Sequence, residues 1–232
     1  MILSGRVAIV TGASRGIGLA IVHALLAKGT RVAGWSRTKP NLNHPNFTHY
    51  TTDITDKASV EQSFKLTVRD FGDEVRVLIN NAGLGYECEL DALSTEQWHE
   101  MFDTNVNGIF YASRLVIPFM KKAQRGHIIN ISSVAGTQGI PGMAAYCATK
   151  YAVRGLSQSL FKELRPHGIK VTCIYPGSVK TNFFDKIDSV ELNDDMMMPE
   201  EIASTVLHCL EAPDNYHVVD IEMRPLSMKK RM

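Results

Sequence analysis

The stretch RVAIVTGASRGIG, residues 6–18, decides the fold of this chain, and LAIVHALLAKG follows it over residues 19–29. Its first residues are mostly apolar and β-branched, which indicates a short strand. The next residues include Gly12, Gly16 and Gly18, and the segment after them has the apolar spacing of an amphipathic helix. The pattern therefore predicts a strand, a glycine turn and a helix.

The glycine turn has the properties of a phosphate site. Residues without a Cβ let the backbone turn tightly and approach a pyrophosphate closely. The free N–H groups and the positive dipole end of the following helix favour a negative charge there. The spacing Gly-x-x-x-Gly-x-Gly differs from the commoner Gly-x-Gly-x-x-Gly, so the loop does not match that fingerprint, but it predicts a dinucleotide site.

The end of the second strand, TRVAGWSR over residues 30–37, predicts which dinucleotide binds. NAD-binding units usually place an Asp or Glu here to hold the ribose 2′-hydroxyl, whereas this chain has Ser36 and Arg37. Arg37, together with Arg15 in the glycine loop, could hold a 2′-phosphate through charge-assisted hydrogen bonds. The alternative for each arginine is a solvated surface charge. We expect NADP(H) rather than NAD(H).

Tyr146 and Lys150 lie four residues apart in MAAYCATKYA, with Ser133 thirteen residues before Tyr146. The segment from Met143 to Arg154 lacks Gly and Pro and should be helical, so Tyr146 and Lys150 share one face. Lowering a Tyr pKa from about 10 to about 7 needs roughly 4 kcal/mol, and a cation at about 4 Å supplies about that much. The pair alone could also be an ordinary amphipathic helix with both side chains reaching water.

Together these segments resemble the short-chain dehydrogenase/reductase family over almost the whole chain. Residues 11–18 look like its cofactor loop, residues 53–54 like its adenine contact, and residues 80–83 like the turn after its fourth strand. The resemblance implies a catalytic tetrad, namely Asn105, Ser133, Tyr146 and Lys150. It assigns cofactor contacts to the following residues: Gly12, Ser14, Arg15, Gly16, Ile17, Gly18, Ser36, Arg37, Asp53, Ile54, Asn81, Ala82, Gly83, Tyr146, Lys150, Pro176, Gly177, Val179 and Thr181.

Within this resemblance each catalytic residue has an expected role. Tyr146 would exchange a proton with the substrate oxygen while hydride moves to or from the nicotinamide. Ser133 would orient and polarise that oxygen. Lys150 would bind the nicotinamide ribose and depress the pKa of Tyr146, and Asn105 would hold a water that links Lys150 to solvent.

The rest of the chain predicts one α/β domain over residues 1–232. Apolar strands near 6–11, 31–36, 47–51, 76–80, 126–132, 169–175 and 217–222 alternate with amphipathic helices. Because βαβ crossovers are right-handed, this pattern predicts a Rossmann-type doubly wound parallel sheet of about seven strands, with helices on both faces. Long helices near 97–123 and 146–165 would form the subunit contacts of a dimer or tetramer, as they do in the family.

Composition argues against several other classes of protein. The net charge is +1, and the basic residues 229–231 are few, so we expect neither a nucleic-acid nor a membrane partner. Without a long apolar run or room for a signal peptide, a cytoplasmic protein is expected. The four scattered cysteines suit reduced thiols, and no metal site is expected.

Substrate choice is expected to lie in loops. Residues 182–198 stand where the family carries its substrate lid, and Phe183, Phe184 and the run 196–198 could line an apolar pocket or belong to an amphipathic flap. Residues 85–87 and 139–143 should also face substrate. Many family members that reduce acyl-carrier thioesters have a longer Gly-rich C-terminal segment, which this sequence does not show, so the resemblance implies ketones, aldehydes or small hydroxy acids as substrates.

Four functions follow from this reasoning. The first is an NADP(H)-dependent oxidoreductase that interconverts a carbonyl and an alcohol. A 3-oxoacyl thioester reductase of the same family is an alternative, and an isomerase or dehydratase with transient use of the nucleotide is another. A non-catalytic NADP-sensing regulator is the last, although such a protein would be expected to have lost part of the tetrad.

Overall fold

The computed structural model describes residues 2–187 and 192–226. The strands are β1 (Val7–Thr11), β2 (Arg31–Ser36), β3 (Phe47–Thr51), β4 (Val75–Asn80), β5 (Gly126–Ile131), β6 (Ile169–Pro176) and β7 (Asp220–Met223). The α-helices are α1 (Gly16–Ala27), α2 (Lys57–Phe71), α3 (Thr95–Phe102), α4 (Gly108–Ala123), α5 (Ala144–Leu164) and α6 (Pro199–Glu211).

The seven strands form one parallel sheet in the order β3-β2-β1-β4-β5-β6-β7. The chain starts in the middle of this sheet, builds outward through β2 and β3, and then crosses to β4 on the other side of β1. Strand order therefore reverses between β1 and β4. In open α/β sheets ligands bind at this switch point, outside the carboxyl ends of the strands.

Helices cover both faces of the sheet, as predicted. On one face α1 and α6 pack against the sheet, with Ile21, Leu25 and Val206 fully enclosed. On the other face α2, α4 and α5 contribute side chains such as Val60 and Val116 to a second core. The strand residues between them are apolar and buried on both sides, as a sheet covered on two faces requires.

One predicted helix has a different local form. The segment expected to be a single helix near 97–123 is helical throughout, but it contains a π-helical turn over Asp103–Asn107, between α3 and α4. Within and beside this turn, Asn107 Nδ2 donates to Asp103 Oδ1 at 2.7 Å, and Gly108 lies so close to Ile54 that a Cβ there would meet Ile54 Cγ1 at 2.7 Å. Such turns often occur at functional sites.

The seventh strand also begins later than predicted, at Asp220 rather than residue 217. Side chains replace the expected ladder just before it: Lys170 Nζ donates to Tyr216 O at 2.5 Å, and Thr172 Oγ1 donates to Val218 O at 2.6 Å. The first six strands begin and end within one residue of their predicted bounds.

Candidate active site

The glycine loop between β1 and α1 adopts the backbone that its glycines were expected to allow. Gly12 and Gly16 have positive φ angles of 66° and 54°. A Cβ at Gly18 would lie 2.2 Å from Gly12 O, so the helix start can approach the loop only because this residue is glycine. None of the described side chains caps α1 at Arg15, and its first turn holds no acidic residue. Its N–H groups thus remain suited to an anion, which fits the pyrophosphate of a dinucleotide.

The end of β4 is joined to this loop. Asn81 N–H donates to Thr11 Oγ1 at 3.0 Å, and Asn81 Nδ2 donates to Thr11 O at 3.0 Å and to Gly12 O at 3.3 Å. Ala82 N–H also donates to Thr11 Oγ1, at 3.1 Å. A Cβ at Gly83 would lie 3.6 Å from Lys150 Nζ, so this turn connects the glycine loop with the catalytic residues.

The residues expected at the adenosine end of the cofactor lie at the carboxyl ends of β2 and β3. Arg37 is exposed, whereas Ser36 is buried, and its hydroxyl donates to Thr38 O at 2.9 Å. Asp53 accepts hydrogen bonds from Thr55 N–H and Oγ1 at 2.9 and 2.7 Å. Although partial burial opposes ionisation, these bonds and the nearby Arg37 guanidinium hold the pKa of Asp53 below its usual range. Ile54 has a packing role, since it lies against Gly108 at the start of α4.

Three members of the expected tetrad converge on one cleft. Tyr146 and Lys150 lie on the first turns of α5, and Ser133 follows β5. The Ser133 hydroxyl hydrogen-bonds the Tyr146 phenol. Lys150 Nζ donates to Ile131 O at 3.1 Å and lies 5.5 Å from the centroid of the Tyr146 ring. The neighbouring Ser132 hydroxyl has a different partner, since it donates to Lys150 O at 3.1 Å.

The protonation of these residues differs from the expectation that Lys150 depresses the pKa of Tyr146. Burial raises the pKa of Tyr146, and the hydrogen bond with Ser133 opposes this shift only in part. Burial also lowers the pKa of Lys150 to about 8. The reason for the difference is that the two groups are enclosed together, so desolvation penalises both charged forms.

Asn105 lies in the π-helical turn and is buried. Its side chain donates to Leu84 O at 2.8 Å and to Thr149 Oγ1 at 3.0 Å, and accepts from Leu84 N–H at 2.9 Å. The amide therefore ties the loop after β4 to α5. It supports the frame of the site, and the expected water relay through this residue stays a prediction.

A cleft of about 340 Å³ opens above these groups at the carboxyl ends of the strands. Ten of the residues expected to bind cofactor or act in catalysis line it: Ile17, Asn81, Gly83, Ser133, Tyr146, Lys150, Pro176, Gly177, Val179 and Thr181. The remaining expected residues are not part of its lining. They lie in the glycine loop, at or after the ends of β2, β3 and β4, and in the π-helical turn. Thr181 Cγ2 would lie 3.3 Å from a Cβ at Gly16, which places the segment after β6 over the start of α1.

Sequence reasoning found part of the apolar wall of this cleft. Its lining includes residues from the segments that were expected to face substrate: the apolar residues Ile140, Pro141, Met143, Phe183 and Phe184, and the acidic Glu87. Four other lining residues were not predicted: Ile131, Ser132, Val134 and Ser178. Each lies within two residues of the predicted Ser133 or Gly177 and could have been found by its position, whereas Ile187, which also lines the cleft, belongs to the expected lid of residues 182–198.

The expected lid divides into two parts with different roles. Asn182–Lys186 forms a 3-10 turn that Thr181 caps, while residues 188–191 lie outside the described chain, as do the basic residues 229–231. The methionine run does not line the cleft. Met197 pairs with Val179 through an isolated bridge and packs with Ile202, and Met198 precedes α6. The run therefore anchors the segment to the fold.

Other kinds of site find no support within the described ranges. No group of three or more His, Cys, Asp or Glu residues there could hold a metal ion, and the four cysteines are free thiols. Over the same residues, no helix is both long and apolar enough to cross a membrane.

Comparison with known proteins relates this geometry to a family. The family model described as short chain dehydrogenase matches residues 6–191. An uncharacterized oxidoreductase of Staphylococcus saprophyticus is 34% identical over 238 aligned residues, which cover 96% of each protein.

Solved structures agree with this sequence match. An alcohol dehydrogenase from the archaeon Thermococcus sibiricus, complexed with 5-hydroxy-NADP, superimposes with a TM-score of 0.84 at 28% identity, covering 98% of this chain and 99% of that one. A serine dehydrogenase complexed with NADP+ gives a TM-score of 0.86 at 29% identity, with 94% of both chains covered. The chain belongs to the short chain dehydrogenase family.

Proposed function

We propose that this protein is an NADP(H)-dependent oxidoreductase that interconverts a ketone, aldehyde or 3-oxo acid with the corresponding alcohol. The observation that carries the proposal is the convergence of Ser133, Tyr146 and Lys150 in the cleft, with a hydrogen bond between Ser133 and Tyr146. Bound NADPH would supply the hydride. The protein's own groups would supply the proton and hold the substrate oxygen.

The protonation of the site favours carbonyl reduction. Tyr146, whose ordinary pKa of about 10 is raised further by burial, carries its proton at neutral pH and would donate it to an oxygen that gains negative charge. Ser133 would donate a second hydrogen bond to the same oxygen and fix its position. Lys150, with a pKa of about 8, is largely cationic at neutral pH, and its ammonium group would stabilise negative charge that develops on the substrate oxygen.

Three features support NADP(H) as the cofactor. The glycine loop and the uncapped start of α1 fit a pyrophosphate, and Arg37 is exposed beside Asp53 at the ends of β2 and β3. Both solved structures described above hold an NADP-type nucleotide. A guanidinium at this place would favour a 2′-phosphate over a free hydroxyl.

The proton donor is tested by Tyr146→Phe, with Tyr151→Phe on the exposed side of the same helix as the matched control. A screen of NADPH depletion with ketones, aldehydes and 3-oxoacyl thioesters first identifies a substrate. We expect Tyr146→Phe to lower kcat by at least about a hundredfold and to leave the Kd for NADPH nearly unchanged. Activity like that of the Tyr151→Phe control would contradict the assigned role.

The cofactor preference is tested by Arg37→Asp, with the exposed Arg165→Asp as control. A carboxylate at position 37 would repel a 2′-phosphate and accept a hydrogen bond from a ribose hydroxyl. The ratio of kcat/KM for NADPH over NADH should fall by about tenfold or more. An unchanged ratio would refute the 2′-phosphate assignment.

The same screen separates the alternatives. Preference for 3-oxoacyl thioesters would identify a thioester reductase, and product formation without net NADPH consumption would indicate an isomerase or dehydratase. NADPH binding without turnover on every carbonyl class would favour a nucleotide-sensing regulator.

A further inference from the structure

A buried hydroxyl joins Asn105 to the backbone of the proposed proton donor. It belongs to Thr149, the residue just before Lys150 on α5. Asn105 Nδ2 donates to Thr149 Oγ1 at 3.0 Å, and Thr149 Oγ1 in turn donates to Tyr146 O at 2.8 Å. Both Asn105 and Thr149 are enclosed in the protein. The Thr149 hydroxyl therefore connects the π-helical turn with the first turns of α5.

Tyr146 stands near an uncapped helix end. It is the third residue of α5, and none of the described side chains caps this helix at Met143. Helix ends without a cap fray readily. Asn105 is itself bound to the loop after β4, since it donates to Leu84 O at 2.8 Å and accepts from Leu84 N–H at 2.9 Å. A chain of hydrogen bonds thus runs from that loop to the carbonyl of Tyr146.

The same arrangement occurs a second time on α5, farther along the helix. Asn130 Nδ2 donates to Ser157 Oγ at 2.8 Å, and Ser157 Oγ donates to Val153 O at 2.7 Å. Asn130 and Ser157 are also buried, and neither is among the described residues that line the cleft. Both arrangements support the helix, but of the two it is the one through Thr149 that ends on a residue of the active site.

We propose that Thr149 is a positioning residue whose hydroxyl holds the carbonyl of Tyr146 against the π-helical turn, and thereby keeps the Tyr146 phenol and the Lys150 ammonium group where proton transfer needs them. This inference rests on the proposed oxidoreductase function. A displacement of about 1 Å at a reacting group can lower a rate by about a hundredfold. Loss of the hydroxyl should therefore affect the chemical step more than the binding of NADPH.

The test compares Thr149→Val, which keeps the shape of the side chain and removes the hydroxyl, with Thr149→Ser, which keeps the hydroxyl. Ser157→Ala is the matched control, because it removes the equivalent hydroxyl from the second arrangement. For each variant, kcat is measured with the carbonyl substrate found by NADPH depletion. The Kd for NADPH and the free energy of unfolding in urea are measured on the same proteins.

We expect Thr149→Val and Ser157→Ala both to be less stable than the wild type, because each leaves a buried asparagine N–H without its acceptor. Thr149→Val should lower kcat by about tenfold or more and change the Kd for NADPH by less than about threefold. Thr149→Ser and Ser157→Ala should keep kcat within about threefold of the wild-type value.

Three results would overturn the proposal: wild-type kcat in Thr149→Val, an equal loss of kcat in either of the other two variants, or a loss of NADPH binding as large as the loss of kcat. Thr149→Ala, which also lacks the hydroxyl, replaces Thr149→Val if the latter does not fold. Failure of both to fold would overturn the proposal in favour of a role in the fold alone.

A second measurement needs no turnover and follows the pKa of Lys150, which burial lowers to about 8. An isotope label at lysine Cε reports this pKa by NMR, with the signal assigned from its loss in Lys150→Met. If Thr149 holds the first turns of α5, its loss lets water reach Lys150. The Lys150 pKa should then rise toward 10.5 in Thr149→Val and stay near 8 in Thr149→Ser and Ser157→Ala.

The two measurements distinguish the two levels of inference. Carbonyl reduction with the same kcat in all variants overturns the role of Thr149 and leaves the proposed function standing. The expected rise of the Lys150 pKa, in a protein that reduces no carbonyl, supports the role of Thr149 and counts against the oxidoreductase function. An unchanged Lys150 pKa in such an inactive protein counts against both.

Discussion

At the scale of single residues, the site combines two groups that burial affects in opposite ways. Tyr146 is kept protonated because its charged form is the anion, whereas Lys150 is pushed toward its neutral form because its charged form is the cation. The residue types and their spacing could be predicted from the sequence. The direction of the shift in the Tyr146 pKa could not, because it depends on enclosure by residues distant in sequence, such as Met101, Phe183 and Ile187.

Lys150 carries a cost in stability that can be measured. Its pKa is lowered from 10.5 to about 8. Between these values the unfolded chain binds the proton that the folded chain has lost, so stability rises as the pH increases through this window. Below about pH 8 the folded protein carries the whole penalty, on the order of 3 kcal/mol at about 1.36 kcal/mol per pKa unit.

We therefore expect Lys150→Met to increase the free energy of unfolding at pH 7 by about 1 to 3 kcal/mol, after the loss of the hydrogen bond to Ile131 O is subtracted. This gain in stability of the Lys150→Met variant should disappear near pH 10.5. At that pH Lys150 is largely neutral in the folded wild type and is neutral in about half of the unfolded chains. Urea unfolding at several pH values measures both effects, with the exposed Lys65→Met as control. A Lys150→Met variant less stable than the wild type at pH 7 would show that the buried charge is fully compensated.

At the scale of elements, the helices α1 and α5 both contain glycine, but Gly18 of α1 lies where a larger side chain would clash with its neighbours, whereas Gly155 of α5 does not. A Cβ at Gly18 would lie 2.2 Å from Gly12 O and 2.5 Å from Asn81 Nδ2, whereas a Cβ at Gly155 would meet nothing within 4 Å. The sequence identified Gly18 through its place in the glycine loop. It did not identify the π-helical turn at Asp103–Asn107, because the apolar spacing of the segment is that of an ordinary helix.

Paired alanine substitutions test this difference. Gly18→Ala should lower the free energy of unfolding by about 1 to 3 kcal/mol and weaken NADPH binding, because the methyl group forces the loop and α1 apart. Gly155→Ala should raise the free energy of unfolding by roughly 0.5 to 1 kcal/mol, because alanine loses less conformational entropy than glycine when it folds into a helix interior. Chemical unfolding and NADPH titration of both variants give the comparison. Equal stability of the two variants would mean that α1 can shift without strain.

At the scale of the whole molecule, the order of the sheet brings together residues that are far apart in the chain. The glycine loop, the turn at 81–83, Ser133 and the segment 176–181 all follow strands, so a parallel sheet places them on one edge. This much could be predicted from the alternation of strands and helices. Which loop residues line the cleft could not, because loop conformation depends on contacts such as Cys88 N–H with Gly142 O.

The outer surface of α4 and α5, where the sequence predicts subunit contacts, also belongs to this scale. Ile109 and Val153 pack between these two helices, and Phe110 and Tyr151 beside them are 49% and 44% exposed. Large exposed apolar side chains on neighbouring helices mark interaction surfaces. We propose that a second copy of the chain covers them.

The double variant Phe110→Glu/Tyr151→Glu should therefore sediment at the 25.7 kDa of one chain, while the wild type sediments at twice that mass or more. Two carboxylates on this surface would be buried against apolar side chains and against their symmetry copies, which opposes association strongly. Leu90→Glu, at a position 61% exposed in the loop before α3, is the control and should assemble like the wild type. A wild type that stays monomeric at micromolar concentration, or a double variant that still assembles, would show that α4 and α5 do not form the subunit contact.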